Sequence, residues 1–354
     1  MQSAYMHWAK FKAPVRFALT GSEVPHFRMD SLPLSIAGLD LDGASHPRYA
    51  PLRERIASRY GVATEQVVAA DGTSMANFVA LAALVEPGDE VLVERPAYDP
   101  LLGAASFLGA TVTRFDRRPD DGFRLDAKRV AAAATGRTSV ILITNLHNPS
   151  SALAHEAELR AVGEVARGVG ARVLVDEVYL DAAVPPRRSA VHLGPEFVVT
   201  NSLTKVYGLS GLRCGWILAE PQLAERMWRV NDLFGVNQAH PAERLACIAF
   251  DRIDMVIADG PAMLRRNRDA FNAFVAKRHD LDCMPSEHGI TAFPRWSGGD
   301  TERLDNCLHE QFDAGIVPGR WFETREHFRI GFGYPVDHFD EGLKRLGAAL
   351  DSLR

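Results

Sequence analysis

Short apolar, β-branched runs alternate with alanine-rich, helix-like runs through the middle of the chain, and this alternation narrows the possible folds more than any other feature. The strand-like runs are 90–94, 111–115, 140–144, 172–176, 197–200 and 213–218. Helix-like runs at 75–85, 100–108, 156–169 and 223–234 lie between them. Strands separated by helices build βαβ units and a mainly parallel sheet. Val91-Leu92-Val93 and Val140-Ile141-Leu142-Ile143 are apolar at successive positions, as strands covered on both faces must be. The chain turns helical and charged over 262–279, and residues 1–40 show no strand–helix alternation. The expected fold is α/β: a large domain of residues 41–250 with a mainly parallel sheet flanked by helices, and a smaller α+β domain from the two chain ends, 1–40 and 251–354. A chain of 354 residues can supply about two such cores.

Charge and cysteine usage exclude several classes. The formal net charge is −5 with no long block of one sign. The basic run Arg265-Arg266-Asn267-Arg268 is expected to be a solvated helix face, not a nucleic-acid site. The first eleven residues lack the apolar core of a signal peptide, and no later stretch is apolar long enough to span a bilayer. Cys214, Cys247, Cys283 and Cys307 are scattered without a Cys-x-x-Cys pair, so neither a disulfide framework nor a metal site is expected. Reduced thiols suit a cytoplasmic protein.

Five segments carry candidate chemistry. Asp71-Gly72-Thr73-Ser74 leads into a helix, whose first N–H groups suit either a phosphate or an ordinary cap. Asn148-Pro149 follows a strand, where open α/β sheets build ligand sites and where turns also fall. Asp176 ends the apolar run Val173-Leu174-Val175, placed to hold a cationic ring nitrogen or to cap the next turn, and Tyr179 follows it. Lys205 sits in Asn201-Ser202-Leu203-Thr204-Lys205, with Arg213 eight residues on in a glycine-rich stretch. Arg329 lies inside the strand-like Phe328-Arg329-Ile330-Gly331-Phe332, where it needs a carboxylate from the protein or from a ligand.

In this order the segments resemble the aspartate-aminotransferase-like family, the class I/II aminotransferases of fold type I, which depend on pyridoxal 5′-phosphate (PLP). The resemblance runs from about Arg48 to Phe332. It implies that Lys205 forms the aldimine with PLP and, once freed, moves a proton between the substrate's Cα and the cofactor. It implies that Asp176 pairs with the ring nitrogen, Tyr179 and Asn148 bond the ring's 3′ oxygen, and Tyr98 stacks on the ring. Thr73, Ser74, Ser202 and Arg213 would hold the phosphate, joined by Tyr49 from a neighbouring subunit, so a homodimer is implied. Arg329 would grip the substrate's α-carboxylate, with Asn148 and Gly21 nearby.

Two departures from the family pattern stand out, one of them Gly72-Thr73-Ser74-Met75 as a loose version of the phosphate loop. The usual Asn-Pro-Thr-Gly reads Asn148-Pro149-Ser150-Ser151, without the glycine whose positive φ would come free. Rough alignment of 231–244 puts Leu233 or Phe234, not an arginine, where dicarboxylate-specific relatives present a second arginine. The expected reaction is amino transfer from an amino acid with a neutral or apolar side chain to a 2-oxo acid. The alternative on the same scaffold is a carbon–sulfur β-lyase. A metabolite-sensing regulatory domain is a third reading, and a nicotinamide enzyme is disfavoured because no G-x-G-x-x-G follows a candidate strand. Tyr5, Trp8 and Phe11 either line or cover the pocket or only dock the N-terminus on the small domain, and docking is the reading favoured.

Overall fold

The computed structural model describes residues 3–44, 46–285 and 287–353; Met1 and Gln2, the start of the stretch read above for a leader, lie outside the described residues. Seven strands form the central sheet, in the order Val67–Asp71, Cys214–Leu218, Phe197–Ser202, Arg172–Asp176, Thr138–Thr144, Glu90–Arg95 and Thr111–Asp116. Cys214–Leu218 runs antiparallel to both neighbours, and the remaining pairings are parallel. Six of these strands coincide with the expected runs to within two residues at each end. Val67–Asp71 was not expected, because Val-Val-Ala-Ala is short and half alanine, a weak strand former.

Side chains alternate across the sheet and enter two apolar layers. Ile141, Ile143, Val173 and Val175 face one layer, while Leu142, Leu174, Val198 and Ile217 face the other. Each fully buried aliphatic side chain of this kind contributes about 1.5–3 kcal/mol. Helix Gly72–Leu84 buries Ala76, Val79, Ala80 and Ala83 in the second layer, small residues that bring its axis close to the strands. Helix Pro221–Asn231 ends three residues before the expected stop, because the Asn231 carbonyl accepts from the N–H groups of Phe234, Gly235 and Val236 in a tight turn.

The chain ends meet. Phe17–Ala18 pairs in parallel with Ala314–Gly315, and Phe328–Gly331 is the middle strand between Thr291–Ala292 and Val317–Pro318. Helices Gly260–Ala276, Thr301–Phe312 and Val336–Ser352 accompany these strands. The basic run is not a solvated face throughout, which corrects the expectation above. Asn267 is buried and donates to the carbonyls of Phe332 and Tyr334, and Arg268 is buried with Nη1 towards the Gly289 carbonyl. Only the first half of the run matches the expectation: Arg266 pairs with Asp340 at the surface. The turn of the helix that ties down the C-terminal strand needs these donors. Among the described residues, no helix is long and apolar enough to cross a membrane.

Candidate active site

The C-terminal ends of the parallel strands open into a cavity of about 1010 Å³ that collects residues from the sheet, the N-terminal segment and the C-terminal strands. At one end, strand Val67–Asp71 runs directly into helix Gly72–Leu84. Gly72 has φ +80°, and a Cβ there would lie 2.5 Å from Nη2 of Arg213, so only glycine lets the guanidinium lie over the first turn. Arg213 Nη2 donates to the Asp71 carbonyl at 3.1 Å. Thr73, Ser74, Thr204 and Arg213 line the cavity. Ser202 is buried behind them, its hydroxyl 2.7 Å from that of Thr73 and 2.6 Å from that of Thr204. A helix N-terminus with hydroxyls and a guanidinium suits a phosphate dianion.

Asp176 lies deeper. Its Oδ2 accepts from Asn77 Nδ2 at 2.8 Å and its Oδ1 from the Val178 N–H at 3.0 Å, while Asn77 Oδ1 accepts from the Thr200 hydroxyl at 2.6 Å. Burial still pushes the Asp176 carboxyl up to about 6. A buried carboxylate with this deficit is stabilised by a cation brought beside it. Asn77 was not foreseen, although it follows Thr73 by four residues and so shares its helix face.

Tyr179 and Tyr98 also line the cavity. The Tyr98 ring meets Tyr5 edge-on at 5.8 Å, and burial raises its hydroxyl's pKa so that it stays protonated. Lys205 follows strand Phe197–Ser202, and its Nζ lies 3.7 Å from Glu23 Oε2, with both side chains about one-third exposed. The Val24 N–H donates to the Lys205 carbonyl, which ties the Glu23 segment to the lysine. Sequence carried no signal for Glu23, which sits in an irregular stretch.

At the opposite end Arg329 is 1 % exposed. Its Nη1 donates to Asn148 Oδ1 at 3.2 Å, and its Nη2 to the Tyr5 hydroxyl and the Thr20 carbonyl, each at 3.1 Å. All three acceptors are neutral, and Nε has no partner among the described residues. A buried guanidinium in that condition is completed by an arriving carboxylate. Gly21 lines the same region, where a Cβ would lie 2.6 Å from the Tyr334 hydroxyl.

Tyr5 and Trp8 line the cavity and Phe11 is exposed, so the N-terminal aromatics do more than dock the terminus. Helix Ala4–Phe11, capped by the Ser3 hydroxyl on the Met6 N–H, puts positions 5 and 8 on one face. In the Asn148–Ser151 turn, Ser151 itself adopts φ +61° in place of the missing glycine. Its N–H donates to the His147 carbonyl, and its Oγ accepts from the Thr291 N–H at 3.2 Å. His147 does not line the cavity: Nε2 donates to the Pro96 carbonyl, so Nδ1 accepts from the Ser150 hydroxyl, and burial keeps the ring neutral. Tyr49 lies outside this cavity, its hydroxyl accepting from Arg244 Nη1 at 3.3 Å.

A lysine, a buried acid that favours a cation and a phosphate-sized N-terminal cradle together fit PLP. The sheet and cavity define a fold type I PLP-dependent enzyme. The chain belongs to the aminotransferase class I and II family, whose model matches residues 40–346. It is 31 % identical to a capreomycidine synthase of Streptomyces vinaceus, over 84 % of this chain and 78 % of that protein. It is 25 % identical to an arginine–pyruvate transaminase of Pseudomonas aeruginosa, over 91 % of this chain and 87 % of the relative. A PLP-dependent aminotransferase from Streptococcus suis superposes with a TM-score of 0.91 at 21 % identity, over 99 % of this chain and 97 % of that one.

Proposed function

We propose that this protein carries PLP on Lys205 and moves an amino group from an amino acid to a 2-oxo acid. The observation that carries the reading is one cavity lined by Lys205, Asp176, Arg213 and Arg329. When bound there, PLP supplies an electron sink for the carbanion left at the amino acid's Cα. Thr73, Ser74 and Arg213, backed by Ser202, hold the phosphate. Asp176, steadied by Asn77, would keep the ring nitrogen protonated, and Tyr98, Tyr179 and Asn148 would hold the ring and its 3′ oxygen. Arg329, beside Gly21, would take the substrate's carboxylate and so aim Cα–H at Lys205 Nζ, which, once freed by the substrate's own amine, would accept that proton as a positioned base.

The active unit in this reading is a cytoplasmic homodimer, in which Tyr49 reaches the neighbouring phosphate. Exposed Leu233, Phe234, Val236 and Phe107 support it, with Phe78 packing against both Phe234 and Phe107. Residues 41–250 form the large domain, and 1–40 with 251–354 the small one.

For the donor, the sequence favours a neutral or apolar side chain. Glu23 favours a second reading: its carboxylate faces the cavity beside Lys205, and it suits a basic side chain once the lysine is engaged. The arginine–pyruvate transaminase among the relatives agrees with that second reading. Turnover of leucine, arginine and aspartate with pyruvate as acceptor separates these. Arginine preferred, and lost in Glu23→Ala, supports the basic donor; leucine preferred supports the apolar one; aspartate preferred contradicts both. Release of pyruvate and ammonia from a β-substituted amino acid without any 2-oxo acid would replace amino transfer with β-elimination.

A further inference from the structure

Outside the cavity, a second cluster gathers around helix His240–Phe250. His240 opens that helix and is 6 % exposed, yet neither ring nitrogen has a hydrogen-bond partner. Nε2 lies 3.6 Å from Asp40 Oδ2 and Nδ1 lies 3.5 Å from Glu243 Oε2, both beyond good hydrogen-bond length. His46 approaches from the other side, its ring 5.3 Å from that of His240. One ligand atom each from Asp40, His46 and His240 fall within 4.8 Å of one another. An imidazole buried with two idle nitrogens is costly unless something joins them.

We propose that Asp40, His46 and His240 bind one divalent transition-metal ion of the zinc class. Two imidazoles and a carboxylate are a zinc-type donor set that leaves a fourth position for water. Tetrahedral bonding brings ligand atoms to roughly 3.4 Å from one another. Asp40 and His46 are exposed and able to close that gap around the fixed His240. Glu243, next to Nδ1, orients the ring so that Nε2 meets the metal, as carboxylates behind metal-bound histidines do. No local motif marks the set, because the ligands stand 6 and 194 residues apart. The ion would pin Asp40 and His46 to His240 at the start of its helix, against whose ring Tyr49 also packs at 4.9 Å.

The test uses untagged, PLP-loaded protein stripped with chelator and titrated with Co²⁺, followed by Zn²⁺ competition. Expected are one Co²⁺ per chain, an intense visible band of a four-coordinate site, displacement by Zn²⁺ and a raised melting temperature. Asp40→Asn and His46→Gln, both at the surface, should weaken binding at least tenfold, and Glu243→Gln about tenfold. The cofactor's absorption reports that each variant has folded. No saturable binding up to millimolar Co²⁺, or binding unchanged in both Asp40→Asn and His46→Gln, overturns the site.

Discussion

The hydroxyl of Tyr5 accepts a hydrogen bond from Nη2 of Arg329 at 3.1 Å, so the first helix of the chain closes onto the guanidinium proposed to take the substrate's carboxylate. This contact joins residues 324 positions apart and makes the N-terminal helix part of the cavity wall. Tyr5→Phe removes one neutral bond to a charged group, worth about 1.5–3 kcal/mol. The KM for the amino acid should rise roughly tenfold or more, and by a larger factor than kcat falls. Steady-state kinetics on the preferred donor check this.

Arg329→Lys keeps the charge and loses the planar fork. A fall in kcat/KM of about a hundredfold is expected, carried by amino acids and 2-oxo acids alike, since both bring the same carboxylate. An effect confined to one substrate class would contradict the assignment.

Asn77→Ala leaves Asp176 Oδ2 without its side-chain donor and the Thr200 hydroxyl without its acceptor. The carboxyl pKa rises further, so less carboxylate is present to meet the ring cation. PLP affinity should drop about tenfold, measured by equilibrium titration of cofactor-free protein, with the deficit shrinking as pH rises.

Ser151 holds a positive φ that costs about 1 kcal/mol and is offset by its hydroxyl's bond from the Thr291 N–H. Ser151→Ala keeps the strain and orphans that N–H, so it should destabilise by about 1–2 kcal/mol. Ser151→Gly relieves the strain and should cost less than the alanine. Chemical denaturation of both variants gives the order.

Burial raises Asp176 to about 6 and Glu177 to about 8, above their ordinary 3.8 and 4.5. Folded, cofactor-free protein therefore holds protons that the unfolded chain has released across this range. The stability they represent is complete below the ordinary carboxylate values and is lost as pH rises towards 8. Melting temperature without PLP should fall from pH 5 to pH 8, and Glu177→Gln should flatten the upper part of that fall.

How much was legible follows from the kind of signal each residue carries. Lys205, Asp176, Arg213 and Arg329 sit in local motifs whose spacing survives in the linear chain, and all four line one cavity. Glu156–Val169 and Arg172–Asp176 were readable to the residue, because amphipathic and two-sided apolar patterns are local properties. Val67–Asp71 was not, since its strand character comes from pairing with Cys214–Leu218 and not from its own composition. Glu23 was illegible as a site residue, and Tyr5 was legible only as an aromatic that either lines the pocket or docks the terminus, because the return of the C-terminal strands and the Lys205 loop brings their partners to them. The Ser151 turn shows the reverse case, in which a positive φ that an absent glycine would have made free is taken up by serine with a compensating side-chain hydrogen bond.

The central claim is that PLP sits covalently on Lys205. Borohydride reduction of the PLP-loaded protein followed by peptide mass mapping tests it most directly, with Lys205→Ala treated alongside. One pyridoxyl group on the peptide containing Lys205, and none on the variant, is the expected result. Reduction that labels other lysines and leaves Lys205 unmodified would contradict the account.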